Sequence, residues 1–193
     1  MTNIGTVKSA NSGTQNVRDI AMAAMSLLRH NPKKLLKKAK RLVKEHPKIA
    51  RDVFCVDVEG WTLIHACALR GTKTILKTLL SCGVDLNFEM GFPDGLPGNS
   101  TCLHLAAYRG DIKIIDYLLS HGANIHAQDS QGHEPIFYAV KRNQTETILY
   151  LQDKGAYATN HNDVTDRGFA DMVMTPEPKI RPFCFSFHAL KKS

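Results

Sequence analysis

The stretch Thr101-Cys102-Leu103-His104-Leu105-Ala106-Ala107-Tyr108-Arg109-Gly110 occurs in this chain in more than one version. Thirty-nine residues upstream stands Thr62-Leu63-Ile64-His65-Ala66-Cys67-Ala68-Leu69-Arg70-Gly71. Thirty-three residues downstream stands Glu134-Pro135-Ile136-Phe137-Tyr138-Ala139-Val140-Lys141-Arg142-Asn143. Gly83, Gly122 and Gly155 repeat the same 39- and 33-residue steps, so the second half of each unit keeps the frame of the first. A unit of this length cannot bury an apolar face alone, and stacked copies share a continuous core. Behind each quoted stretch the apolar residues fall at helical spacing: Ile75, Leu76, Leu79 and Leu80, then Ile114, Ile115, Leu118 and Leu119.

A period near 33 with a T-P-L-H-x-A core resembles the ankyrin repeat, a β-turn followed by two antiparallel helices. The resemblance covers residues 57–174 and extends by inference over 16–56. It implies an all-α ankyrin-repeat solenoid of helix-turn-helix units carrying short β-turn fingers. The expected organisation is a disordered arm at 1–15, divergent capping helices at 16–56, and a first repeat at 57–90. A Gly/Pro-rich finger insertion follows at 91–98, then repeats at 99–127 and 128–160, a truncated unit at 161–174 and a tail at 175–193.

In the capping segment, Asn16 offers an N-cap to a stripe of Val17, Ile20, Ala21, Ala24, Met25 and Leu28. Asn31-Pro32 starts a second helix with Leu35, Leu36, Ala39, Leu42 and Val43 on one face, and His46-Pro47 closes it. The extra six residues between the first two repeats sit in the insertion, which includes Phe92 and Leu96 and lengthens the finger there. In the third repeat Phe137 takes the histidine slot, and Gln152 stands where Leu80 and Leu119 stood. A polar residue at that core position marks an approach to the end of the stack. The 33-residue step then places Phe169, Met172 and Val173 in a fourth, incomplete unit. In the tail, Phe183, Phe185 and Phe187 alternate; they either cover that unit's exposed core or serve as a docking peptide.

Charge is concentrated in one place. Residues 29–51 hold ten Lys/Arg against one Glu, a net +9, whereas the whole chain is +7, so the remainder sums to −2. The cations of the second capping helix, Lys33, Lys34, Lys37, Lys38, Lys40, Arg41 and Lys44, form a basic patch. It reads as a solvated outer face or as a site for an acidic partner or import receptor. Binding of nucleic acid is disfavoured because no aromatic residue interleaves with the lysines. No apolar run approaches the roughly 18 residues of a membrane span. The five cysteines include no C-x-x-C pair, and Cys67 and Cys102 fall at small core positions, so no disulfide framework is expected. The expected location is cytoplasmic, nuclear or both.

His65 and His104 occupy the same slot of successive units, which fits helix capping and not a shared metal, whose ligands must converge within about 2.0–2.3 Å of one ion. His121, His126 and His133 fall on a turn and a finger. No phosphate loop, nucleophile elbow or carboxylate pair is written in the chain. The expectation is a protein without enzymatic activity and without cofactor or metal. Stacks of this family bind partner proteins through finger tips and the exposed positions of the first helices. The resemblance assigns those positions to Val58, Glu59, Trp61, Leu69 and Arg70 in the first repeat and to Ser100, Tyr108 and Arg109 in the second. In the third repeat they are Ser130, Gln131, His133, Lys141 and Arg142. Arg70, Arg109 and Arg142 share one slot and form a ladder beside aromatic side chains, the residue types that dominate interface energetics. The implied function is an adaptor or inhibitor that occupies a partner's surface in a concave groove. The alternatives are an IκB-like regulator of a transcription factor and a nucleic-acid-associated protein using residues 33–44.

Overall fold

The computed structural model of the chain describes residues 10–94 and 96–157. Residues 1–9 of the arm, 158–160 of the third repeat, the truncated unit at 161–174 and the Phe-bearing tail lie outside the described residues. Among the described residues the elements are helices only, joined by short turns and by longer finger loops.

Three helix pairs make the repeats: α4 (Leu63–Leu69) with α5 (Lys73–Leu80), α6 (Cys102–Arg109) with α7 (Ile112–Ser120), and α8 (Pro135–Lys141) with α9 (Thr145–Asp153). The first helices stack side by side, α4 on α6 and α6 on α8, and each second helix packs behind its own first helix. The apolar stripes read from the sequence are the reason. Ile64, Leu76 and Leu79 are sealed between the layers of the first pair, and Ile114, Ile115 and Leu118 between those of the second. Complete burial of such a side chain is worth about 1.5–3 kcal/mol. Cys67 and Cys102 lie fully inside this core, where burial pushes the Cys67 thiol up to about 12 and raises that of Cys102 further. Both therefore stay neutral thiols and pack as small apolar groups.

Each first helix is entered through a finger. In the first, Val58 and Trp61 exchange both backbone bonds, at 2.7 and 3.1 Å, around a two-residue loop. Glu59 (φ 55°) and Gly60 (φ 80°) both take left-handed backbone there, the geometry whose twist suits a two-residue hairpin. In the second, Met90 pairs with Asn99 and Ser100, so the insertion leaves and returns through one closed base.

Ahead of the repeats the sequence led to two helices, and the structure has three: α1 (Ala10–His30), α2 (Pro32–Glu45) and α3 (Pro47–Cys55). The expected arm is corrected over residues 10–15, and so is the cap at Asn16. Helix α1 already runs through residues 10–15, because each residue added to an existing helix gains one bond without a new nucleus. Asn31 does cap α2, accepting from the Lys34 N–H at 3.0 Å. His46-Pro47 ends α2 as read, but Pro47 also opens α3 as its first helical residue, and α3 buries Ala50, Val53 and Phe54. Helix α1 packs on α4 and α2 on α5, which carries the two layers of the stack into the cap, with α3 against both.

Candidate interaction surface

The residues assigned to the binding face divide into three groups. Val58, Trp61 and Ser100, expected at exposed finger positions, are instead buried, at 1%, 8% and 2% exposure. Residues directly opposed in a bonded pair place their side chains on one face, and here that face is the core, so Val58 and Trp61 go inside together. Ser100 locks the base of the insertion: its hydroxyl donates to the Pro97 carbonyl at 3.2 Å and its own carbonyl accepts the Met90 N–H. At the fingers Glu59, Ser130 and Gln131 are exposed, while His133 is half-buried with its ring stacked on Phe137 at 3.7 Å.

The third group gathers at the far ends of the first helices. Arg70, Arg109 and Lys141 are exposed there; Leu69, Tyr108 and Arg142 are half-buried. The arginines do more than line up. Arg109 reaches back over the preceding unit and donates through Nη1 to the Leu69 carbonyl at 3.4 Å. Its Nε lies 3.8 Å from the Asp111 carboxylate. It occupies space that Gly71 leaves open, since a Cβ on Gly71 would stand 2.4 Å from Arg109 Nε. The Arg142 guanidinium lies over the Tyr108 ring at 4.8 Å, a cation–π distance. Between them is a surface depression of about 690 Å³ walled by Leu69, Tyr108, Arg109, Lys113 and Arg142. Lys113 was missed by the sequence reading because it lies on α7, outside the first-helix slots of the repeat frame.

The basic patch is on α2 as read. All seven cations are exposed, and Arg41 pairs with Glu45 at 3.6 Å. Its apolar stripe is spent on the stack, with Leu35 and Ala39 buried and Leu36, Leu42 and Val43 packed against the core.

His65 and His104 act in the joints. His65 Nε2–H donates to the Phe88 carbonyl at 3.0 Å, leaving Nδ1 to accept from the Thr62 hydroxyl at 2.6 Å. His104 likewise donates to the His133 carbonyl and accepts from the Thr101 N–H, both at 3.0 Å. Burial lowers both imidazoles, His65 to about 4, so they are neutral. His126 bonds Glu134 at 3.2 Å, and His121 bonds the Tyr117 carbonyl at 2.8 Å. Among the described residues no set of three or more His, Cys, Asp or Glu side chains is arranged to hold a metal. No helix among them is long and apolar enough to cross a membrane.

Comparison with known proteins adds a family to this geometry. The family model for ankyrin repeats in three copies matches residues 89–163, and that for a single ankyrin repeat matches 59–88. Similar curated proteins include the palmitoyltransferase AKR1 of Lachancea kluyveri, 32% identical over 49% of this chain and 12% of that protein. Rat diacylglycerol kinase zeta is 30% identical over 55% of the chain and 11% of the kinase. The Drosophila tyrosine-protein kinase Shark is 29% identical over 57% and 11%. The chain thus spans about a tenth of the length of these relatives.

Proposed function

Because the chain belongs to the ankyrin-repeat family, whose repeats mediate protein–protein interaction, we propose that it is a non-catalytic interaction module. In this reading it is an adaptor or inhibitor that occupies a partner protein's surface, in the cytoplasm or nucleus. The chemistry in the relatives' names stays with those proteins. The observation that carries the reading is the depression at the first-helix ends, where Arg142 is stacked on Tyr108 and Arg109 is held on the Leu69 carbonyl. Guanidinium groups fixed by packing have little rotamer entropy left to lose on binding, which raises what each contact contributes. A face carrying Arg70, Arg109, Lys113, Lys141 and Arg142 around an aromatic ring suits a partner segment that presents carboxylates.

The test uses exposed positions. Arg109→Glu with Lys141→Glu in the full chain should leave the fold standing and reduce retention of the natural partner about tenfold or more in affinity capture with partner identification. A partner set indifferent to both reversals would remove this face from consideration. A second reading, supported by the seven exposed cations of α2, places an acidic partner or import receptor on that helix. Lys37, Lys38, Lys40 and Arg41 changed together to Gln in a parallel arm separates the two surfaces.

A further inference from the structure

We propose that the insertion at residues 91–98 is a docking finger for a Lys/Arg-rich segment of a partner protein, with Phe92 as its apolar anchor. The inference rests on reading the stack as an interaction module, but it concerns a different surface and the opposite charge.

The described residues of the loop, 91–94 and 96–98, are held at both ends. Backbone bonds from Met90 to Ser100 and from Asn99 to Met90, both 3.0 Å, close its base. Its body lies directly on the first finger: a Cβ on Gly60 would stand 2.3 Å from the Pro93 nitrogen, and one on Gly91 2.2 Å from the Asp57 carboxylate. A Cβ on Gly98 would meet the Phe92 ring at 2.4 Å, so one side of that ring packs against bare backbone. Pro93 and Gly98 on either side of the loop are buried, yet Phe92 is 73% exposed, more than any other large apolar side chain among the described residues. An aromatic ring fixed from below and open above is a low-entropy anchor for a partner's apolar group.

Charge selects the occupant. Asp57, Glu59, Glu89 and Asp94 are exposed on the two fingers that the insertion brings together. Residues 52–69 and 84–108 contain no Lys or Arg at all. The fingers therefore present only negative charge around Phe92, while the first-helix ends carry the arginine ladder. A segment with cations flanking one apolar residue satisfies the rim and the anchor at once, and an acidic segment is repelled.

Panning a phage-displayed library of random dodecapeptides on the full chain tests this. The expected binders carry Lys or Arg on both sides of an apolar residue. Their Kd should rise at least tenfold with Phe92→Ala, and by a similar factor with Glu59→Gln plus Asp94→Asn, at unchanged melting temperature. Binders with no basic enrichment, or binders indifferent to both variants, overturn the proposal. So does a concentration-dependent dimer abolished by Phe92→Ala, because the occupant is then a second copy of this chain. Arg109→Glu with Lys141→Glu should leave these peptides bound. If that variant abolishes capture of the natural partner while both finger variants leave peptide and partner binding intact, the docking finger fails and the interaction module stands.

Discussion

The first two repeats and the third close the same joint by different chemistry. In the first two, a buried histidine sends its Nε2–H forward to the next finger, His65 to the Phe88 carbonyl and His104 to the His133 carbonyl. In the third, Phe137 holds that slot and donates nothing. The polar work moves one residue on, to Tyr138, whose hydroxyl donates to Asp129 of its own finger. The Asp129 carboxylate also accepts the Gln131 and His133 N–H groups, at 2.8 and 3.0 Å. Histidine joints thus tie each unit to its successor, while the tyrosine–aspartate joint closes a unit on itself. The backbone demands that buried polar groups be paired in both; the side chain decides whether the pairing is local or passes along the stack.

The largest expected effect separates the two joints directly. His104→Leu leaves the Thr101 N–H and the His133 carbonyl buried without their partner, at a cost of about 3 kcal/mol in urea unfolding. Phe137→Leu removes packing alone and should cost roughly half as much. Equal costs would mean that the histidine acts by shape and that the two joints do not differ in kind.

Acid gives the next effect. Burial holds His65 at about 4 against an ordinary 6.5, and lowers His104 as well. The unfolded chain therefore takes up protons that the folded chain refuses. Stability from these two groups is present above about pH 6.5 and is lost as pH falls below it, toward about 4 for His65. Amide exchange followed over that range should open α4 and α6 before α8, and His65→Phe should flatten the slope. Uniform loss across all three helices would place the titration elsewhere.

The smallest effect is at the turn between the two helices of each unit. Gly71 (φ 70°) and Gly110 (φ 77°) serve it in the first two repeats and Asn143 (φ 53°) in the third. Asn143→Gly should stabilise by about 0.5 kcal/mol, since asparagine tolerates left-handed backbone at a small cost. The reverse change, Gly71→Asn, should cost a similar small amount and also displace the Arg109 guanidinium, whose far end a Cβ there would meet.

Much of this was legible in the chain. The repeat step placed the three helix pairs, and Thr62 and Thr101 with His65 and His104 marked two helix starts, because capping is a local exchange between residues three apart. Gln152, in the slot that Leu80 and Leu119 hold in the other repeats, is exposed on α9. The face was less legible. Trp61, taken for a finger-tip contact, is core, since a hairpin's facing cannot be told from a two-residue loop until the rest of the stack supplies one wet and one dry side. Helix α3 was missed because Pro47 reads equally well as an end and as a beginning.

Sequence alone determined the period, the helical content, the capping histidine slot and the concentration of positive charge on α2, all consequences of residue type and of spacing along the chain. Tertiary structure decided which side of each finger faces solvent, that Arg109 crosses to Leu69 and Arg142 to Tyr108, and that the insertion folds onto Gly60 with Phe92 outward. Those contacts join residues some 30 to 40 positions apart across a helix stack, and no local pattern carries a distance that only packing sets.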